Sequence, residues 1–279
     1  MRARERERNP WYAVFTGVIG LYCLVSVLLL LNVLVSSFRP NGEILSQPWS
    51  LPSHLILNNY ASLFRDGFLR YYVNSGIVLV ASVCALLALT APTAYGLGKF
   101  RFRGNAALRM YFLLGMMFPV QLGVIPLFRL MRVLGLINTV WGVVIVFAAG
   151  LSVPVFITTN FTQSIPDVLR EAARMDGASE LRIFTRIFLP LMMPAFGALI
   201  PLTAVGIWNE FFIPLVFISR DAAKTVPLGL LRYFNGHGFN LSKLGVEFAA
   251  VTISIGPLIL LYLAASRRII QGLTRGAIK

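Results

Sequence analysis

Six long apolar runs divide this chain and limit the folds that are available to it. They lie at 11–37, 74–97, 110–131, 140–160, 190–212 and 246–266. A helix needs about 20 mostly apolar residues to cross the roughly 30 Å hydrocarbon core of a bilayer, and each run is long enough. The mean hydropathy of +0.75 agrees with this interpretation. We therefore expect an all-α, polytopic membrane protein with six transmembrane helices in a single domain, residues 1–279.

The net charge of +14 at first suggests nucleic-acid binding. The positions of the basic residues along the chain instead indicate how the protein is oriented in the membrane. Lys and Arg accumulate on the cytoplasmic side of membrane proteins. We expect both termini and the segment 161–189 in the cytoplasm, and the segments 38–73 and 213–245 outside. Sixteen of the 25 Lys and Arg residues then lie inside, namely Arg2, Arg4, Arg6, Arg8, Lys99, Arg101, Arg103, Arg109, Arg170, Arg174, Arg182, Arg186, Arg267, Arg268, Arg275 and Lys279.

Several classes of function are disfavoured by the residues that the sequence lacks. The two histidines, His54 and His237, lie in separate segments without ligand-like neighbours, so we expect neither a metal site nor a general base. Ion-coupled carriers hold Asp or Glu within their spans, whereas Glu210 and Glu247 are near span ends here. No GxxxxGK[ST] phosphate-binding motif occurs. We expect a non-catalytic protein without its own cofactor, and uphill transport would need a separate energy-supplying subunit.

The segment 161–189 is polar, and its pattern is helical. Ser164 is expected to cap a first helix, with Pro166 in its first turn. Asp176-Gly177 should end this helix, because glycine adopts a positive φ without strain. The helix would carry one apolar stripe, formed by Val168, Leu169, Ala172 and Met175.

A second short helix should start at Ser179, at an angle to the first, and Pro190 should mark the entry to the fifth span. The alternative is an amphipathic helix that lies on lipid headgroups. In the third span, Pro119 and Pro126 are each expected to kink the helix, because each removes a backbone donor.

One ordered set of residues lies between positions 171 and 190, namely Glu171-Ala172-Ala173, Asp176-Gly177-Ala178, Ile187 and Leu189-Pro190. This set resembles the EAA motif of ATP-binding-cassette importer permeases. The form is similar to the carbohydrate-uptake branch, the second permease of maltose-type systems. Shorter matches follow in the same order along most of the chain: Asn74-Ser75, Ala94-Tyr95, Lys99, Phe102, Gly104, Pro119, Gln121, Ile125-Pro126-Leu127, Gly135-Leu136, Asn138-Thr139, Trp208-Asn209, Pro214-Leu215 and the tail 272–279.

The resemblance implies the type I importer permease fold and half of a translocation path for a sugar or oligosaccharide. Import would be ATP-driven and dependent on an extracytoplasmic solute-binding protein. The other partners would be a homologous second permease, a dimer of ATPase subunits that hold ATP and Mg, and the lipid of a prokaryotic cytoplasmic (inner) membrane. The segment 225–239 resembles the part of such permeases that reaches toward the binding protein.

The same resemblance supplies the candidate coupling residues. Coupling to the ATPase is expected at Glu171, Ala172, Ala173, Asp176 and Gly177. Sugar sites combine polar side chains and aromatic faces within apolar walls, and by depth and type the candidates are Tyr95, Gln121, Trp208 and Asn209. Each has a structural alternative: backbone pairing near Pro119 for Gln121, an interfacial position for Tyr95 and Trp208, and a bond between helices for Asn209.

Two other functions remain open at this stage. A permease of the same superfamily could carry a solute such as a glycerol phosphate, and basic residues facing the path, Arg129 or Arg232, would favour it. The other alternative is a membrane scaffold or enzyme with no transport role. Co-purification of an ATPase would exclude this alternative.

Overall fold

Helices form all the regular structure of the described residues, 10–234 and 243–277, in the computed structural model, and the predicted all-α class is confirmed. The α-helices are α1 Pro10–Ser36, α2 Asn41–Ser46, α3 Asn58–Arg65, α4 Phe68–Lys99, α5 Asn105–Gly115, α6 Val124–Val133, α7 Val140–Ala148, α8 Ser152–Ser164, α9 Val168–Met175, α10 Glu180–Asn209, α11 Phe212–Phe217, α12 Val226–Phe234 and α13 Leu244–Ala277. Short 3₁₀ turns occupy Val120–Gly123 and Asp221–Ala223.

Five stretches of the described chain are long and apolar enough to span a membrane. They are Trp11–Ser36, Phe68–Lys99, Val140–Ser164, Glu180–Asn209 and Leu244–Leu263. A sixth results if the bent pair Asn105–Gly115 and Val120–Val133 forms one span. Each of the six predicted apolar runs overlaps one of these stretches.

The third predicted span is broken, and only one of its two prolines lies at the break. The two halves meet at an angle of 94°. Pro119 lies between them with extended backbone, φ −67° and ψ 137°. Pro126 is the third residue of α6, where a backbone N–H has no acceptor within the helix. The prediction of a kink at Pro126 is therefore wrong, because the missing donor costs nothing in a first turn.

The chain divides into two compact units. The first comprises residues 10–68, 230–234 and 243–255, and the second comprises 69–229 and 256–277 within the described ranges. The single-domain interpretation stays a prediction.

A buried arginine organises the first unit after α1. The side chain of Arg39 is completely buried. Its guanidinium donates to the carbonyl oxygens of Glu43 at 3.0 Å, Gln47 at 2.6 Å and Pro48 at 3.2 Å. It also donates to the hydroxyl of Ser50 at 2.6 Å. A buried charge is costly unless such partners surround it, so this residue fixes the loop that follows the first span.

In the second unit, a buried cluster joins α4 to α9 and α10. Its members come from the C-terminal part of α4, the connection before α9, α9 itself and the first half of α10. They are Ala91, Ala94, Tyr95, Ile165, Ala173, Ile183, Phe188, Met192, Phe196 and Leu199. The cluster supports the polar segment from the side of the spans.

Candidate functional site

The EAA segment, residues 161–189, contains the predicted turn between two helices. Helix α9 ends at Met175, and Gly177 has a φ of +75°. The N–H groups of Gly177 and Ala178 bond back to the carbonyls of Arg174 and Ala173, which completes the helix end. The hydroxyl of Ser179 accepts from the N–H of Arg182 at 3.4 Å and caps α10. The turn at Gly177 and the cap at Ser179 are confirmed.

The predicted start of the first helix is wrong. Ser164 is the last residue of α8, and its hydroxyl donates to the carbonyl of Phe161 at 2.7 Å. Ile165 is extended, with ψ 130°, and α9 begins only at Val168. The cause is Pro166, because a proline forces the residue before it out of the helical region. Ser164 therefore ends one helix and does not cap the next.

The second helix is not short. Helix α10 continues from Glu180 through Pro190 to Asn209, so Pro190 marks no boundary. A π-helical turn, Phe184–Phe188, directly precedes this proline. Local π adjustments re-satisfy backbone groups that a proline frees inside a spanning helix. Motion of the EAA segment is therefore expected to pass directly into the fifth span.

The apolar stripe of α9 points away from the rest of the chain. Val168 is 68% exposed and Met175 is 88% exposed, and Leu169 is also exposed. Ala173, on the opposite side, is buried against the cluster. Leu181 extends the exposed apolar surface onto α10. Such patches mark surfaces that bind another protein or a membrane.

One carboxylate holds the two helices of the EAA segment together. Glu180 accepts from Arg170 Nη2 at 3.1 Å and from Arg174 Nε at 2.7 Å, and it forms an ion pair with both guanidinium groups. It also accepts from the hydroxyl of Tyr95 at 2.9 Å. Both arginines belong to α9, Glu180 begins α10, and Tyr95 lies in α4. The carboxylate therefore joins three helices at one point.

A buried lysine fastens the start of the segment to the end of α4. The side chain of Lys99 is only 2% exposed, and its Nζ donates to Asp167 Oδ1 at 2.7 Å and to the carbonyl of Ile165. The hydrogen bond from Lys99 lowers the pKa of Asp167 below its ordinary value. The guanidinium of Arg170 stacks on Phe100, 4.2 Å from the ring centre. These contacts hold α9 in place from its inner side.

The five predicted coupling residues lie within this arrangement. Glu171, Ala172 and Asp176 are exposed, Ala173 is buried and Gly177 forms the turn. Neither Glu180 nor Lys99 is among the site residues predicted from the sequence. The sequence signal that could have indicated Glu180 is an acidic residue close to several arginines. This signal does not show which of the charged residues pair. The coupling role of the five residues stays a prediction.

The four candidate residues of the substrate path are not in one place. Tyr95 is buried among Phe100, Phe184 and Phe188, with its hydroxyl bonded to Glu180, so its position fits the EAA segment better than a path for solute. Gln121 is exposed in the 3₁₀ turn after Pro119. Trp208 is buried edge-on against Tyr72, and Asn209 is exposed, with its amide bonded to the Val205 carbonyl. For these last three, contact with solute stays a prediction.

The segment 210–229 is tied to the ends of two spans. Asn138, with a φ of +63°, accepts through Oδ1 from Ser219 N at 2.7 Å and Arg220 N at 2.9 Å.

The hydroxyl of Tyr71 donates to the carboxylate of Asp221 at 2.8 Å. The neighbouring Asn74 donates to the carbonyls of Ala222 and Lys224, and Ser75 accepts from the N–H of Val226. The short motifs Asn74-Ser75 and Asn138-Thr139 thus have a structural reason.

Comparison with known proteins gives consistent results along the chain. The family described as "Binding-protein-dependent transport system inner membrane component" matches residues 90–275. The diacetylchitobiose uptake system permease protein NgcG of Streptomyces coelicolor is 31% identical, over 100% of this chain and 92% of its own. The multiple sugar-binding transport system permease protein MsmG of Streptococcus mutans is 30% identical, over 100% of both. The arabinooligosaccharides transport system permease protein AraQ of Bacillus subtilis is 31% identical, over 98% of this chain and 99% of its own.

The fold is also similar to solved structures. The crystal structure of a bacterial ABC transporter involved in the import of the acidic polysaccharide alginate contains a chain with a TM-score of 0.84 and 26% identity. The match covers 92% of the present chain and 95% of that one. A bacterial alginate ABC transporter in complex with a pentasaccharide-bound periplasmic protein has the same fold, with a TM-score of 0.69 and 15% identity, over 95% of this chain and 97% of that one.

Proposed function

The chain belongs to the family of binding-protein-dependent transport system inner membrane components, and from this membership we propose that it forms half of the path of an ATP-driven sugar or oligosaccharide importer. The observation that carries the proposal is the EAA segment. Its helix α9 exposes Val168, Glu171 and Met175, while Lys99 and Glu180 hold it from behind. A braced helix with an exposed apolar stripe is suited to dock into another protein.

The solute class is supported by the relatives. The names of three of them refer to diacetylchitobiose, multiple sugars and arabino-oligosaccharides. The solved transporter with a TM-score of 0.84 imports alginate, an acidic polysaccharide. Since the match to each relative covers nearly the whole chain, we assign a sugar or oligosaccharide as the solute.

Docking would occur at a cleft on a cytoplasmic ATPase, which holds ATP and Mg and supplies the hydrolysis. Val168 and Met175 would bury apolar area there. A carboxylate that enters a protein groove is costly unless it is paired, so Glu171 would meet a cation on the ATPase. The small Ala172 permits close approach of the backbones. Because α10 continues into the fifth span, closure of the ATPase dimer would move that span directly.

The remaining partners follow from the family and the topology. A homologous second permease would supply the other half of the path. With both termini and the EAA segment in the cytoplasm, the segment 210–229 would lie outside and help to receive a solute-binding protein. One solved transporter of the same fold is in complex with such a periplasmic protein. Residues 235–239 of the expected receiving loop, and the tail residues 278–279, lie outside the described residues.

Orientation can be tested with two single cysteines of similar exposure. Met175 is 88% exposed and Leu51 is 81% exposed. After replacement of Cys23 and Cys84, Leu51→Cys should react with a membrane-impermeant thiol reagent in intact cells. Met175→Cys, in cells that express the permease without its ATPase, should react only after the cells are permeabilised. The reverse labelling would overturn the orientation.

The assembly is tested by purification. An affinity-tagged chain from its native host should bring down an ATPase, and the complex should hydrolyse ATP in reconstituted vesicles. The chain purified alone should show no hydrolysis. Intrinsic hydrolysis by the pure chain, or a tagged chain that never retains an ATPase, would contradict the proposal and favour a scaffold or enzyme.

An anionic solute is the second candidate, and one cavity favours it. Arg129 and Arg132 line a cavity of about 280 Å³ together with Phe128 and Val216. Guanidinium groups of this kind bind phosphate or carboxylate. If the path uses this cavity, the double variant Arg129→Gln and Arg132→Gln should abolish uptake of sn-glycerol 3-phosphate. If the solute is a neutral sugar, the same variant should leave uptake of maltotriose nearly unchanged.

A further inference from the structure

A second cavity in the same unit has a charged end and an apolar end. It has a volume of about 290 Å³ and lies between α5, α8 and the last turns of α4. The residues relevant to its chemistry are Leu97, Asn105, Arg109, Met110, Leu113 and Phe156. It belongs to neither the EAA segment nor the cavity that Arg129 lines.

The two ends of the cavity are defined by the antiparallel packing of α5 and α8. At one end Arg109 Nη2 donates to the side chain of Gln163 at 3.2 Å. At the other end the helices touch so closely that a Cβ added at Gly115 would lie 2.4 Å from the hydroxyl of Ser152. The guanidinium thus lies near the start of α5, and the apolar lining continues toward its end.

The apolar lining is accessible from outside the chain. Leu113 is 41% exposed and Phe156 is 37% exposed, although both belong to apolar helices of the second unit. Exposed apolar side chains on spanning helices are suited to contact hydrocarbon, so this end of the cavity suits an acyl chain. An occupant that remains partly in the bilayer can therefore enter it from the side.

We propose that this cavity binds one anionic phospholipid, with its phosphate at Arg109 and one acyl chain along Leu113 and Phe156. The inference rests on the proposed topology, which places the start of α5 at the cytoplasmic leaflet. Basic pockets between helices on that side suit anionic headgroups.

The charge around the polar end selects for an anion. Arg101 and Arg103 are exposed in the connection that precedes α5. The positive end of the α5 dipole points the same way. Within the part of the chain that the structure describes, no acidic residue lines the cavity. A zwitterionic lipid would bring its own cation toward these arginines, so it should bind more weakly.

The test uses the full-length permease in a neutral detergent and measures lipid binding by native mass spectrometry. The probes are phosphatidylglycerol, phosphatidylcholine with the same acyl chains, and inorganic phosphate. Phosphatidylglycerol should bind most tightly, and inorganic phosphate should not compete with it. Arg109→Gln should weaken phosphatidylglycerol binding about fivefold, as expected for the loss of one basic group near a headgroup. Leu113→Trp should reduce binding by filling the apolar end.

A matched control separates a site from a generally basic surface. Arg101→Gln removes the same charge from the same part of the chain but does not line the cavity. It should change phosphatidylglycerol binding by less than about twofold. Unfolding midpoints without added lipid show whether each variant is folded.

Three results would overturn the lipid site. They are equal binding of the two lipids, equal losses in Arg101→Gln and Arg109→Gln, and competition by inorganic phosphate alone. Any of these with normal ATP-driven uptake rejects this inference and leaves the importer proposal intact. Failure of the proposed orientation is detected separately, by the labelling of Met175→Cys.

Discussion

The hydroxyl of Tyr95 donates a 2.9 Å hydrogen bond to the carboxylate of Glu180, across a separation of 85 residues. This bond connects the end of the second span directly to the start of the fifth. Because Glu180 also binds Arg170 and Arg174, helix α9 is attached to both spans through one side chain. We therefore expect the EAA segment to move as one body with these spans.

Removal of the Tyr95 hydroxyl should weaken this connection without disturbing its packing. Tyr95→Phe keeps the ring among Phe100, Phe184 and Phe188 but loses the bond to Glu180. Hydrogen bonds to charged groups contribute roughly 1.5–3 kcal/mol, so the unfolding midpoint in detergent should fall.

The matched control for that variant is Tyr111→Phe, because Tyr111 is 68% exposed on α5. It should change stability by less than about 0.5 kcal/mol. Adding Glu180→Gln to each variant completes a double-mutant cycle. Equal effects of the two tyrosine substitutions, or no coupling between Tyr95 and Glu180, would show that the bond does not contribute.

Substitutions at Gly177 should affect coupling through the backbone alone. The residue has a φ of +75°, and a Cβ added there meets nothing within 4 Å. Gly177→Val should therefore strain the turn by roughly 1–2 kcal/mol. Gly177→Asn should be milder, because asparagine tolerates positive φ. ATPase retention on purification should follow the order Gly, Asn, Val, and equal retention by all three would contradict the role of the turn.

Gly229→Ala should disturb the segment 210–229 by steric overlap. The added Cβ would lie 2.2 Å from the ring of Tyr71, which is buried and binds Asp221. Overpacking of this kind costs roughly 1–3 kcal/mol.

Gly206→Ala is the control, because its Cβ meets nothing within 4 Å and alanine favours a helix. Limited proteolysis should cut the segment 210–229 faster in Gly229→Ala than in Gly206→Ala. Identical cleavage rates would show that Tyr71 does not hold this segment.

Local signals predicted the features that depend on few neighbours. Long apolar runs predicted the five spanning stretches and the bent pair that could form a sixth, since hydropathy alone decides whether a helix suits hydrocarbon. Gly177 identified its turn, because positive φ is a property of one residue. The predicted cap at Ser164 is wrong because Pro166 forces Ile165 out of the helical region. The predicted boundary at Pro190 is wrong because a π turn before this proline lets the helix continue.

The pairing of charges could not be predicted from the sequence. Four arginines and four acidic residues lie between 167 and 186, and their pattern does not indicate that Glu180 takes both Arg170 and Arg174. The residue type of Tyr95 and its depth in the second span predict a position on the substrate path. Its contact with Glu180 depends on how α4 packs against α10, which no local pattern encodes.

We propose that α9 couples this chain to an ATPase through Glu171. The most direct measurement is ATP-driven solute uptake by reconstituted complexes that carry Glu171→Lys, compared with the neutral variant Glu171→Gln. If Glu171 meets a cation in the ATPase cleft, Glu171→Lys places two like charges together and should weaken docking roughly thirtyfold or more. Uptake should then collapse, and Glu171→Gln should lose less. Near-normal uptake by Glu171→Lys, with the ATPase still co-purifying, would contradict the claim.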